Sequence, residues 1–311
     1  MPTLAEAILQ ASQAGNYTGA KLKGIAVGNG CSGNQVGSCG GQREQYDTEY
    51  LLGQAFVSKS LKTQIRDKCD FSQKGGVSSA CDKLLQEMHE TIGNVNLYNI
   101  YGECITGSEQ EVAGRAALKA PYNSKYAKFG GPNACINSIF GSNYLNQPSV
   151  IAASHVKKQP FEWSTCGNQI RYSSTRPNLP RDTYPALVKN YRVLIYNGDW
   201  VRLDAESSVC TCSYAAARAL PALSSPKHRK DACVPYTDNQ AWTEGMGFEV
   251  AAPWHPWTYN GTQPGQVGGY ATRYSANDFT FITIKGGRHE VPETAPRQAL
   301  EMLRRLLAGG P

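Results

Sequence analysis

The stretch of the chain best suited to chemistry runs Phe281-Ile282-Thr283-Ile284-Lys285-Gly286-Gly287-Arg288-His289-Glu290-Val291-Pro292, a histidine in a glycine-rich turn straight after a short apolar run. An imidazole there can move protons, because a buried strand fixes one side of the turn and leaves the other open to a substrate. His89, His155, His228 and His255 lack such a setting and are read as structural. A histidine acting as general base needs a carboxylate to hold its tautomer and stabilise the imidazolium. That acid should leave the end of an earlier strand, and Asp199, in Asn197-Gly198-Asp199-Trp200, is the first candidate. A nucleophile would complete the set, yet no G-x-S-x-G occurs in the 311 residues.

The elements that must carry these groups show in the apolar pattern. Gly24-Ile25-Ala26-Val27-Gly28 and Val193-Leu194-Ile195-Tyr196 repeat the design of residues 281–284, short apolar runs ended by glycine-bearing turns. Three such strands interleaved with helices predict a parallel α/β sheet whose sites form at the carboxyl ends of the strands. The chain opens on a helix with Thr3 and Glu6 at capping-box spacing and an apolar stripe of Leu4, Ile8 and Ala11. It closes on a helix with Pro296 in its first turn, Leu300, Leu303 and Leu307 as its buried face, and Gly309 as its stop. From about residue 40 to 155 the pattern changes to polar, cysteine-bearing helical segments such as 61–69 and 81–92. No Pro/Gly/Ser-rich linker brackets that region, which predicts an insertion capping the sheet. Residues 1–40 and 156–311 are thus expected to form the core, and 41–155 a helical cap.

The acid poses a second problem. α/β-hydrolases place the histidine last, after nucleophile and acid, and the acid commonly sits in a G-D-x-D-x-x-V-P-like turn. Here Val201 follows Gly198-Asp199-Trp200 where the second acid should stand, and thirty residues later the chain reads Asp231-Ala232-Cys233-Val234-Pro235. Joining Trp200 to Asp231 restores G-D-W-D-A-C-V-P, so residues 201–230 are expected to be an insert and Asp231 the acid. The insert opens with valine, whose codons begin GT, and closes with lysine, one of whose codons ends AG, as an in-frame retained intron would. A genuine surface loop is the alternative, since loop insertions cost little closure entropy.

With these residues in view, the chain resembles the serine carboxypeptidase family along nearly its whole length outside the insert. The resemblance is carried by Leu22-Lys23-Gly24-Ile25-Ala26-Val27-Gly28-Asn29-Gly30, Leu145-Asn146-Gln147-Pro148-Ser149-Val150, Trp163-Ser164-Thr165-Cys166, Pro253-Trp254-His255-Pro256-Trp257, Gly268-Gly269-Tyr270 and the turn around His289. It implies an α/β-hydrolase fold with a mixed, mostly parallel sheet and a mostly helical cap, with Asp231 as acid and His289 as general base. It further implies a serine-type carboxypeptidase that releases C-terminal residues from peptides through an acyl-enzyme, without metal or organic cofactor. Arg288 and Glu290 depart from the family's usual small residue and methionine, and both put charge beside the base. The family's G-E-S-Y-x-G elbow should lie just before Pro2. Its absence, with that of the N-terminal strands and the oxyanion-hole segment, implies that the chain as given is inactive. An acyltransferase or lyase on the same scaffold, or a non-catalytic binding member, is the alternative.

Bulk properties narrow the setting. A net charge of +6 without a basic block argues against nucleic acid, and no apolar run has the roughly 20 residues of a membrane span. Ten cysteines without paired C-x-x-C knuckles favour disulfides in an oxidising compartment, the best pairs by spacing being Cys31 with Cys39, Cys69 with Cys81, and Cys104 with Cys135. Sequons at Asn16 and Asn260 agree with a secreted, vacuolar or lysosomal glycoprotein. The partner implied is a peptide or protein C-terminus, and the sequence leaves oligomeric state open, a homodimer included.

Overall fold

The computed structural model describes residues 1–73, 76–93, 95, 100, 139–157, 160–163, 175–200 and 234–309. Its elements in order are α1 (Pro2–Gln13), β1 (Gly24–Gly28), a 3-10 turn (Ser38–Gly40), α2 (Arg43–Gly53), α3 (Lys59–Lys68), α4 (Ser79–Ile92), α5 (Ile139–Leu145), α6 (Pro148–Ala153), α7 (Leu179–Asp182), α8 (Tyr184–Asn190), β2 (Arg192–Gly198), α9 (Tyr236–Gly245), β3 (Val250–Tyr259), β4 (Gln266–Tyr274), β5 (Thr280–Ile284), α10 (Val291–Thr294) and α11 (Pro296–Ala308). The chain divides into two compact units, one of residues 1–100, 174–203 and 232–311, the other of residues 101–173 and 204–231. Residues 41–100, read from sequence as the first part of a cap, fall in the first unit with the sheet.

In the first unit the sheet has the order β1-β2-β5-β4-β3. The three apolar runs pair parallel, Gly28 opposite Tyr196 and Gly198 opposite Ile284, so their carboxyl ends lie level. Beyond β5 the sheet turns antiparallel through the hairpin β3–β4, which the sequence reading did not include. Pro253 and Pro256 lie inside β3; a proline cannot donate to a ladder, and β3 tolerates both because, among the described residues, it pairs only with β4. Its register shifts between Val250 and Ala252, Ala252 and His255, and Trp257 and Thr258 further hide the alternation.

Both faces of the sheet are covered. On one, Ile25, Val193, Ile195, Phe281 and Phe279 pack against Ala5 and Leu9 of α1, Leu187 and Val188 of α8, and Trp242 of α9. On the other, Leu194, Ile282, Ile284 and Trp257 pack against Val291, Ala295, Ala299 and Met302. A third cluster joins α2, α3 and α4 around Leu51, Leu61, Ile65, Leu85 and Met88. Ser58 and Ser78 cap α3 and α4 by accepting from the amides of Leu61 and Cys81.

The terminal helices are rotated from the expected faces. Leu300, Leu303 and Leu307 are exposed (59%, 46% and 75%), and α11 meets the sheet through Ala299 and Met302. That second stripe continues Val291 and Ala295, so the short helix α10 sets the rotation of its neighbour. In α1 the buried residues are Pro2, Ala5, Glu6 and Leu9, while Leu4 faces solvent. The expected capping box is absent: no side chain caps α1, and Glu6 instead accepts from Arg176 Nε (3.0 Å) and from the Thr183 hydroxyl (3.4 Å). Gly309 ends α11 in a left-handed conformation, as expected.

The second unit's described residues include α5 and α6. Asn146, between them, accepts from the Trp163 amide at 2.6 Å and donates to the Trp163 carbonyl at 2.8 Å, mimicking a strand pair with one side chain.

Candidate active site

The carboxyl end of β5 feeds directly into the turn that bears His289. Gly286 takes φ +75°, a left-handed conformation available to glycine at little cost, and lets the Gly287 amide donate back to the Ile284 carbonyl at 3.0 Å. The turn is fastened to the end of β2 by three bonds. The Asp199 amide donates to the Ile284 carbonyl (3.2 Å), the Gly286 amide to Asp199 Oδ1 (2.7 Å), and the Trp200 amide to the Gly287 carbonyl (3.0 Å). The approach is so close that a Cβ on Gly198 would lie 2.3 Å from the Arg288 carbonyl oxygen and 2.4 Å from that of Gly287. On the far side of the histidine, the Arg288 amide donates to the Thr294 hydroxyl (2.9 Å), which in turn donates to the Glu290 carbonyl (3.1 Å).

The turn that bears the half-buried His289 is thus held through its backbone from both sides. Burial pulls the imidazole's pKa below the ordinary value, and the Glu290 carboxylate partly opposes that pull. At neutral pH it is poised as the unprotonated form, the one a general base requires. Asp199 is shifted the other way: burial raises its pKa to about 6, against the lowering effect of the Gly286 amide, its own amide and Lys285. Tyr50 donates its hydroxyl to the Asp199 carbonyl (3.2 Å), and the phenol of Tyr236 is raised by burial and by the Asp199 charge.

A buried amide network supports the neighbouring strand ends. Asn29, left-handed at φ 43°, donates its backbone amide to the Tyr196 carbonyl and accepts from the Gly198 amide through Oδ1, tying β1 to β2. Asn197 donates to the Val234 carbonyl (3.0 Å) and accepts from Asn239 (2.8 Å), whose Oδ1 accepts from the Trp242 indole (2.6 Å). This chain of bonds ties Val234, three residues after Asp231, to the end of β2.

Asp231 itself lies outside the described residues, as do Cys104, Cys135 and the expected insert 201–230. Cys31–Cys39 and Cys69–Cys81 are disulfide-bonded, as their spacing indicated. Asn16 and Asn260 are exposed, outside the helices and strands. Sequence reasoning weighed Asp199 only as an acid for the histidine and missed its bond to Gly286, because a carboxylate that accepts from backbone has no spacing signature. It missed the Asn197–Asn239–Trp242 chain too, although an N-G-D turn at a strand end was a hint. Among the described residues no helix is long and apolar enough to cross a membrane, and no group of three or more His, Cys, Asp or Glu could hold a metal ion.

A sheet covered by helices on both faces, with a histidine turn at the carboxyl end of its last parallel strand, defines an α/β-hydrolase scaffold. The family model for serine carboxypeptidases matches residues 1–207 and 227–309. The chain belongs to the serine carboxypeptidase family. It is 27% identical over 354 residues to serine carboxypeptidase-like 21 of Arabidopsis thaliana, covering 99% of this chain and 62% of that relative. It is 23% identical over 349 residues to serine carboxypeptidase 1 of Hordeum vulgare, covering 99% of this chain and 61% of the relative. Among solved structures it is similar to Kex1(delta)p, a prohormone-processing carboxypeptidase from Saccharomyces cerevisiae, at a TM-score of 0.50 and 16% identity, covering 97% of this chain and 59% of that one. The chain therefore spans about three-fifths of the length of these relatives.

Proposed function

We propose that the chain carries the acid-base half of a serine carboxypeptidase site, with His289 as general base and Asp231 as its acid, and that residues 201–230 are an insert separating Asp231 from its place. In this reading His289 takes the proton of a serine hydroxyl as that oxygen attacks the substrate carbonyl, then returns it to the leaving amine. Asp231 holds the imidazole tautomer and stabilises the imidazolium, and an acyl-enzyme is the intermediate. The substrate is a peptide C-terminus, met in a secretory, vacuolar or lysosomal space; two formed disulfides and two exposed sequons support that setting. With no G-x-S-x-G in its 311 residues, the chain alone does not hydrolyse peptides.

The observation that carries this reading is the fastening of the His289 turn at the carboxyl end of β5, level with the end of β2 where the acid-bearing segment departs. The break in the family match at 208–226 lies wholly inside the proposed insert and supports it. The test is an NMR titration of His289 in a chain lacking residues 201–230. A carboxylate hydrogen-bonded to the imidazole should raise its pKa by about a unit or more over the same chain carrying Asp231→Asn. Equal values would reject the pairing. Assays of the intact chain with blocked dipeptides and acyl-glucose esters should give no turnover of either, and turnover of either would overturn the proposed inactivity. Sequencing the transcript separates a retained intron from a genuine loop.

A further inference from the structure

We infer that Asp199 is a positioning residue for His289: it acts through the Gly286 amide to set the height and angle of the turn that presents the imidazole. The inference rests on His289 being the general base but concerns a different residue and a different bond.

The turn has little else to hold it on this side. Gly286 and Gly287 supply no side chains, so the strand end grips the turn through backbone groups and one carboxylate. Of the three bonds that join β2 to it, the one from Gly286 to Asp199 is the shortest, at 2.7 Å, and the only one with an ionisable acceptor. A charge-assisted bond of this kind is roughly twice as strong as a neutral one. Asp199 is itself braced, its carbonyl accepting from Tyr50 and its amide donating to Ile284, so the carboxylate has a fixed origin from which to aim. The close approach of Gly198 to the Gly287 and Arg288 carbonyls means that any shift of the turn is felt at the residue next to His289. The groups that bear on Asp199 are Lys285 in the same turn, Tyr236 from α9 and the amides of Gly286 and of Asp199 itself. With one oxygen accepting from a backbone amide, Asp199 serves as an anchor for the turn.

The experiment uses the intact chain in three forms, wild type, Asp199→Asn and Asp199→Ala, with two NMR readouts: the titration of the His289 imidazole and the exchange rate of the Gly286 amide. Asparagine retains an oxygen acceptor and alanine does not. Positioning predicts that Asp199→Ala speeds Gly286 exchange about tenfold and moves the His289 pKa up toward the ordinary imidazole value as the turn loosens and hydrates, while Asp199→Asn, which keeps a neutral acceptor, changes both in the same direction but by less. If both variants lower the His289 pKa alike, Asp199 acts on the imidazole by charge and the inference is overturned. If neither changes anything, it is overturned as well. Should Asp199→Ala fail to fold, the wild-type chain still decides: the Gly286 amide proton should shift with an apparent pKa of about 6, and a flat Gly286 profile would end the argument. The Gly286 exchange rate does not depend on Asp231, so failure there and failure of the Asp231–His289 pairing are separately visible.

Discussion

Replacing Gly198 with alanine tests how tightly the histidine turn is seated. The added methyl carbon would lie 2.3 Å from the Arg288 carbonyl oxygen and 2.4 Å from that of Gly287, where ordinary contact begins near 3.4 Å, so the turn must retreat by roughly 1 Å. Both obstacles are backbone atoms and cannot swing aside as a flexible side chain would. Overpacking of this kind costs about 1–3 kcal/mol. A 1 Å retreat also stretches the 3.0 Å bond from the Trp200 amide to Gly287 beyond useful range, a further loss of about 1 kcal/mol. Gly198→Ala should therefore destabilise the chain by about 2–4 kcal/mol, read by urea denaturation with tryptophan fluorescence. The control is Gly245→Ala at the end of α9, where an added Cβ meets nothing within 4 Å and the helix gains up to about 0.5–1 kcal/mol. If Gly198→Ala lies within about 0.5 kcal/mol of wild type, the close approach of β2 to the turn is not as described and the seating argument fails.

Three further outcomes are expected. Asn197→Ala, which strands the Val234 carbonyl and the Asn239 amide in a buried site, should cost about 2–4 kcal/mol by the same assay, and a loss under about 1 kcal/mol would remove the network from the account. Because burial raises Asp199 from 3.8 to about 6, the folded chain holds that proton more tightly than the unfolded one, so the stability it contributes is full below 3.8 and lost as pH rises through about 6. His289, lowered by burial, has the opposite sign, its contribution being lost as pH falls through its folded value; Asp199→Asn should therefore remove the loss of stability that Asp199 contributes as pH rises through about 6, and an unchanged profile would contradict the assignment. Replacing both Cys69 and Cys81 with serine opens a loop between α3 and α4 and should cost about 2–3 kcal/mol, measured as a lowered denaturation midpoint that reductant no longer changes by way of this bridge.

How much of this was legible in the sequence depends on whether local pattern or distant contact decides each feature. The three parallel strands were legible because strands buried on both faces need unbroken apolar runs, and glycines closed each one. The hairpin β3–β4 was not, since its prolines and register shifts are tolerated only at a sheet edge, and edge position is a property of the assembled sheet. The strand-end turn that bears His289 was legible because an apolar run followed by Gly286-Gly287 marks it; the bond from Gly286 to Asp199 was not, because its two ends lie 87 residues apart. Helix α11 shows the same division within one element. Its sequence carries two apolar stripes at helical spacing, Leu300-Leu303-Leu307 and Ala299-Met302-Leu306, and periodicity alone favours the bulkier one. The second stripe is the one in register with Val291 and Ala295, already committed to the sheet by the turn that holds His289, so the same turn that places the imidazole also fixes which face of the last helix is buried.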